Sequence, residues 1–108
     1  MSKSFEKRRE ESRRIMDKYP NRIPVIVESK DFTLDKHKYL VPKTLTVGEF
    51  IQVIRKRVTI GPEEAIFLLV NNKSPLITST MEDIYEQDQG ECGFLFINIT
   101  RESVFGTF

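Results

Sequence analysis

One histidine, His37, and one cysteine, Cys92, stand about 55 positions apart in a chain of 108 residues. No serine sits in a nucleophile-elbow context, and no Cys/His spacing suggests zinc. Glu63-Glu64 and Glu82-Asp83 are paired acids, but each pair reads as the first turn of a helix, where carboxylates offset the dipole. His37 alternates along a lysine-rich strand and is expected to face solvent, and Cys92 reads as a structural thiol at a strand entry. No glycine-rich loop is present to cradle a nucleotide. This inventory argues against an enzyme, and neither cofactor nor metal is expected. The chemistry left is recognition: the run from Leu34 to Arg57 reads as a docking edge for an extended peptide.

The elements that must form that edge lie within this run. A short strand from His37 to Val41 is flanked by lysines and stopped by Pro42, which is how an edge strand is kept from indiscriminate pairing. Thr46-Val47-Gly48-Glu49 is a capping box, with Leu45 and Phe50 as the hydrophobic staple, so a helix starts at Val47. Val47, Phe50, Ile51, Ile54 and Val58 recur at helical spacing and face a sheet. Val53 lies outside that stripe, about 60° beyond Phe50 at roughly 100° per residue, with Arg57 between them. From this run alone, two readings fit equally: a frayed core edge, or an apolar notch with a cationic rim.

At 39% hydrophobic and 31% charged, a chain of this length suits one domain with a modest core. Its longest apolar runs, 66–70 and 94–97, are far short of the ~20 residues of a membrane span. The charged amino terminus has no apolar signal core and the cysteine is single, so a cytoplasmic or nuclear location is expected. The net charge of +1 hides a gradient. Residues 1–22 carry eight Lys/Arg against four Asp/Glu, 23–62 seven against four, and 63–108 two against eight. A basic first half suits an acidic partner or an anionic membrane surface. Nucleic acid fits worst, because acids interrupt the arginines and no stacking aromatics are interleaved.

The remaining elements follow from periodicity and breakers. Phe5 to Tyr19 reads as a helix with Phe5, Ser12, Ile15, Met16 and Tyr19 on one thin side, stopped by Pro20. Arg22 to Glu28 is a strand with Ile23, Val25 and Val27 on one face and Pro24 and Ile26 on the other. Both faces need cover, so the capped helix goes to the first and the amino-terminal helix to the second, bringing Ile15 toward Pro24 and Ile26. Gly61-Pro62 breaks the chain, Ala65 to Val70 suits a central strand, and Thr80 caps a short helix through about Tyr85. Phe94 to Thr100 is the last strand. The predicted fold is α+β: a β-grasp, ubiquitin-like four-stranded mixed sheet packed on a central helix, with an added N-terminal helix. Within one such domain, 1–21 is the helical extension, 22–100 the β-grasp core and 101–108 the tail.

Specific residues then carry a resemblance over nearly the whole chain. Phe5-Glu6-Lys7-Arg8-Arg9, Tyr19 to Ile26, Leu34-Asp35-Lys36, Lys38 to Pro42, Leu45 to Gly48 and Ile54 to Arg57 are similar to the autophagy ubiquitin-like modifiers, the GABARAP and light-chain family. The similarity continues through Val70-Asn71-Asn72, Tyr85 and Glu102 to Gly106. It implies binding of short motifs, an aromatic and an aliphatic residue three apart with acids before them, added as a strand beside the second strand. The aromatic pocket it implies is Glu11, Ile15, Pro24, Ile26, Lys38, Leu40 and Phe94. The aliphatic pocket is Tyr39, Val41, Pro42, Leu45, Phe50 and Val53, with Lys36, Lys38 and Arg57 meeting the acidic flank. Under the resemblance, the notch at Val53 is part of that second pocket.

By position alone Gly106 is a flexible terminal residue. The resemblance makes it the conjugation glycine, apt because a Cβ would obstruct its passage through narrow active sites. It implies that a cysteine protease removes Thr107 and Phe108, and that activating and conjugating enzymes join Gly106 to phosphatidylethanolamine. Two acyl chains then hold the protein on autophagosomal membranes. The other implied partners are cargo receptors and adaptors, with the chain a monomer in solution. An unconjugated ubiquitin-like adaptor using only the groove is the alternative. Three departures qualify the transfer: only four residues precede Phe5, so the family's first small helix is expected to be absent or vestigial; the connection Ser29 to Thr33 is short; and Cys92-Gly93 replaces acidic or aromatic residues.

Overall fold

The alternation in β1 (Arg22–Glu28) explains most of the architecture. In the computed structural model, which describes residues 3–101, the run Ile23 to Val27 is buried at every position. Successive side chains point to opposite faces, so a strand buried throughout must be covered on both. β1 pairs antiparallel with β2 (Lys38–Pro42) and parallel with β4 (Leu95–Thr100), and β4 pairs antiparallel with β3 (Phe67–Leu69). The sheet order is therefore β2-β1-β4-β3, a mixed sheet with β1 and β4 inside.

The odd-numbered face of β1 and β2, with Ile23, Val25, Tyr39 and Val41, joins the main core with Val47, Phe50 and Ile54 of α2 (Val47–Arg55). The even-numbered face belongs to α1 (Lys3–Lys18), whose Phe5 and Ile15 pack against Ile26, Cys92 and Phe94. Each fully buried aliphatic or aromatic side chain contributes roughly 1.5–3 kcal/mol over leaving it exposed. On that scale the main core, with nineteen buried apolar residues, sustains the fold, and the small α1 cluster is its weaker layer. Among the described residues, no helix is long and apolar enough to cross a membrane.

α2 begins as its sequence requires. Thr46 Oγ1 accepts from the Glu49 N–H at 3.2 Å, and the Glu49 carboxylate accepts from the Thr46 N–H at 3.0 Å. The Thr46 N–H first, and then the Thr46 hydroxyl, which lies 3.0 Å from the same carboxylate oxygen and donates to it, hold the Glu49 carboxyl below its ordinary range. α3 (Met81–Asp88) is capped by Thr80, which accepts from the Asp83 N–H at 3.2 Å.

Several expectations are corrected. The apolar run at 65–70 is not a central strand: β3 is short and lies at the sheet edge. Glu63-Glu64 does not open a helix; it sits in a turn, where the Glu64 carboxylate accepts from the Gly61 N–H at 3.1 Å and from Arg101 Nη1 at 2.6 Å. α3 runs to Asp88, a turn beyond Tyr85. The second strand starts at Lys38 and includes Pro42, and the last starts at Leu95, leaving His37 and Phe94 just outside them. Tyr19 lies beyond α1 and is 40% exposed rather than part of its packed side.

Candidate functional site

β2 is an edge strand, and its backbone parity decides what it can offer. The Val27 N–H donates to His37 O at 2.7 Å, and Lys43 N–H donates to Asn21 O at 3.1 Å. In an antiparallel ladder these hydrogen-bonded pairs alternate with pairs whose polar groups point away. The register Val25 with Tyr39 and Ile23 with Val41 therefore turns those backbones toward β1, and Lys38, Leu40 and Pro42 turn theirs outward. Pro42 has no N–H, so the open edge presents the donors of Lys38 and Leu40 and the carbonyls beside them. An arginine reaches one of these, Arg22 Nη1 to Leu40 O, at a long 3.4 Å. Such an edge accepts an added strand.

The proposed aromatic set comes together on the α1 side of this edge. Pro24 faces Leu40 across the ladder and Ile26 faces Lys38. Ile26 and Phe94 are buried with Ile15 packed on them, and Leu40 is half-buried. Lys38 Nζ pairs with Glu11 Oε1 at 2.8 Å and lies 6.0 Å from the centre of the Phe94 ring. Both ion-pair partners are well exposed, so the pair contributes at most about 1 kcal/mol and yields to a competing carboxylate.

The proposed aliphatic set divides. Tyr39, Val41 and Phe50 are built into the main core, with Phe50 at 0% exposure and its ring edge-on to Tyr39 at 5.6 Å. Leu45 is half-buried, and Pro42 and Val53 are exposed. Of this set only Val53 lines the neighbouring depression of about 430 Å³, which it shares with Asp35, Lys56 and Arg57. The buried Tyr39 hydroxyl finds no hydrogen-bond partner among the described residues. Burial raises its pKa, with Arg57 opposing and Asp35 reinforcing the shift. Lys36 Nζ sits 5.0 Å from the Tyr39 ring centre, so the cations at this end of the edge are Lys36, Lys56 and Arg57. His37 is exposed, and its Nδ1 bonds Val27 O at 2.9 Å.

Sequence reasoning missed Lys56, Asp35 and the joint that seats α1. Ser12 Oγ is 2.9 Å from Arg9 O and 2.6 Å from Cys92 O, tying α1 to the turn before β4. The Tyr85 hydroxyl donates to Gly93 O at 2.6 Å. Gly93 has φ 89°, and a Cβ there would collide with Ser12. The available signal was Ser12, a polar residue inside an apolar helical stripe, which calls for a buried partner. Among the described residues, no group of three or more His, Cys, Asp or Glu could hold a metal ion.

A mixed sheet with one helix packed on its core face, a second added on the other and an open edge strand defines a ubiquitin-like protein of the β-grasp type. The profile described as "Autophagy protein Atg8 ubiquitin like" matches residues 7–106. Autophagy-related protein 8 of Schizosaccharomyces pombe is 51% identical over 96% of this chain and 89% of its own length, and Autophagy-related protein 8A of Oryza sativa is 50% identical over 95% and 90%. Among solved structures, Trypanosoma brucei ATG8 superposes with a TM-score of 0.84 at 36% identity, covering 98% of this chain and 99% of that one. Plasmodium falciparum Atg8, solved in complex with a Plasmodium falciparum Atg3 peptide, gives 0.82 at 36% identity over 93% and 92%. The chain belongs to the Atg8 family of autophagy proteins.

Proposed function

We propose that this chain is an autophagy modifier, rather than a catalyst, with two activities: docking of acidic aromatic-x-x-aliphatic motifs, and conjugation through Gly106 to phosphatidylethanolamine. The observation that carries the docking reading is the open edge of β2, with the Lys38 and Leu40 backbones outward between two apolar sets. On this reading the aromatic residue enters over Leu40 and Lys38 toward Pro24, Ile26 and Phe94, with Ile15 and Glu11 as the α1 wall. The aliphatic residue meets Pro42, Leu45 and Val53, and buried Tyr39, Val41 and Phe50 hold that surface in place. Lys36, Lys38 and Arg57 attract the acidic flank. The backbone supplies affinity and the pockets supply choice.

The conjugation reading is supported by family membership and by a match that reaches residue 106. Gly106 itself lies outside the described residues. A cysteine protease would remove Thr107 and Phe108, after which activating and conjugating enzymes would join the Gly106 carboxyl to the lipid amine, placing the protein on the autophagosome. Cargo receptors and adaptors would be the groove's partners. The test is to incubate the chain with family protease, activating and conjugating enzymes, ATP and phosphatidylethanolamine vesicles, and to measure its mass. Loss of Thr107-Phe108 followed by gain of one lipid, with Gly106→Ala unreactive, is expected. Retention of the two residues, or lipidation of Gly106→Ala at the wild-type level, would leave an unconjugated adaptor as the reading.

A further inference from the structure

Leu76 and Ile77 are 73% and 65% exposed, far more than Val53 or Tyr19, and neither belongs to the edge described above. Their backbone is nevertheless pinned. The Gly48 N–H donates to Ile77 O and the Val47 N–H to Ser79 O, both at 2.9 Å, and the Ser79 N–H donates to Leu76 O at 3.0 Å. Gly48 has a direct part in this, because a Cβ there would stand 3.3 Å from Ile77 O. Two large aliphatic side chains are thus held outward on a fixed loop, at little ordering cost to a ligand.

Beside them runs a groove of about 360 Å³. Val70, Pro75, Leu76 and Ile84 give it an apolar lining, and Asp83 and Asp88 of α3 supply carboxylates. Lys73 is the cation of the lining, while residues 63–108 as a whole carry two Lys/Arg against eight Asp/Glu. No lining residue is shared with the β2 edge or its flanks. β3 runs antiparallel to β4, so the chain beyond Leu69 heads away from Arg101, the end at which a lipid anchor would be attached.

We propose that this groove is a second docking surface, and that its occupant is a basic amphipathic segment of a partner protein: aliphatic side chains against Leu76 and Ile77, and lysine or arginine against Asp83 and Asp88. Charge complementarity selects that occupant, since the same carboxylates repel acidic motifs and anionic headgroups. The domain would then hold acidic segments at β2 and basic ones here, independently of each other and of conjugation.

The test uses the full chain and a short synthetic peptide of lysine and leucine at helical spacing, followed by backbone-amide NMR, with a glutamate-for-lysine peptide as control. Shifts confined to residues 73–79 and α3 are expected. Leu76→Ser with Ile77→Ser, and separately Asp83→Lys, should each weaken binding about tenfold. The glutamate peptide should leave those amides unmoved. Shifts centred on α1 or β2, equal affinity of the variants, or equal binding of the glutamate peptide would overturn the proposal. Concentration-dependent shifts at 73–79 without peptide would overturn it in favour of a second copy, and broadening on neutral lipid vesicles alone in favour of a bilayer.

Discussion

Tyr39 shows how much a single side chain is asked to do. It is 8% exposed, packs edge-on to Phe50, carries Lys36 near its ring, and leaves its hydroxyl without a partner among the described residues. A buried hydroxyl without a hydrogen bond costs about 1–3 kcal/mol. Tyr39→Phe should therefore raise the unfolding free energy by roughly 1 kcal/mol in urea, with the slope unchanged. Because burial raises the folded pKa above the ordinary phenol value, the unfolded chain loses this proton first. Stability should then be indifferent to this group below about pH 10 and fall above it, and Tyr39→Phe should reduce that alkaline fall. A destabilised Tyr39→Phe protein would show that the hydroxyl has a partner after all. Val53 could be singled out from helical geometry because it broke a stripe, whereas Asp35 and Lys56 break no pattern and become neighbours only when the chain folds.

At the level of elements, local chemistry was legible, and so was the edge position of β2, whereas that of β3 was not. The capping box joins Thr46 and Glu49, three positions apart, and sequence shows all of it. Thr46→Ala should cost about 1 kcal/mol in denaturant unfolding, with Glu49→Ala not adding its full single effect, because the two bonds form one unit. Additive losses would mean that the box is not coupled. Gly61 and Glu64 show the limit of such signals. The same spacing produces a carboxylate bonded back to an N–H, but the apolar run that follows enters β3, so no helix grows from it. β3 read as central because the 65–70 run is apolar throughout; its edge position comes from β1 and β4 pairing in parallel, which composition does not encode. The end of α3 was missed because neither glycine nor proline stops it at Tyr85.

Over the whole molecule, the charge gradient read from the sequence acquires a geometry. The basic first half provides the cations at the β2 edge, and the acidic second half provides α3 and its groove. Arg101 joins distant parts at the end of β4: its N–H donates to Asp31 at 2.8 Å, its guanidinium meets Glu64, and it stacks 4.8 Å from the Phe32 ring centre. This cluster holds Arg101 in place at the end of the described residues. The family was legible because its motifs are linear, while the open backbone of β2 required the register of the ladder.

The central claim is that an acidic peptide adds to β2 as a strand, and amide hydrogen exchange tests it most directly. With a saturating acidic aromatic-x-x-aliphatic peptide, the Lys38 and Leu40 amides should gain protection, while Tyr39 and Val41, already bonded to β1, should change little. Leu40→Arg, at a half-buried position of the edge, should abolish the gain. Binding that leaves Lys38 and Leu40 as exchangeable as before, or that protects α1 or α3 instead, would contradict strand addition at this edge.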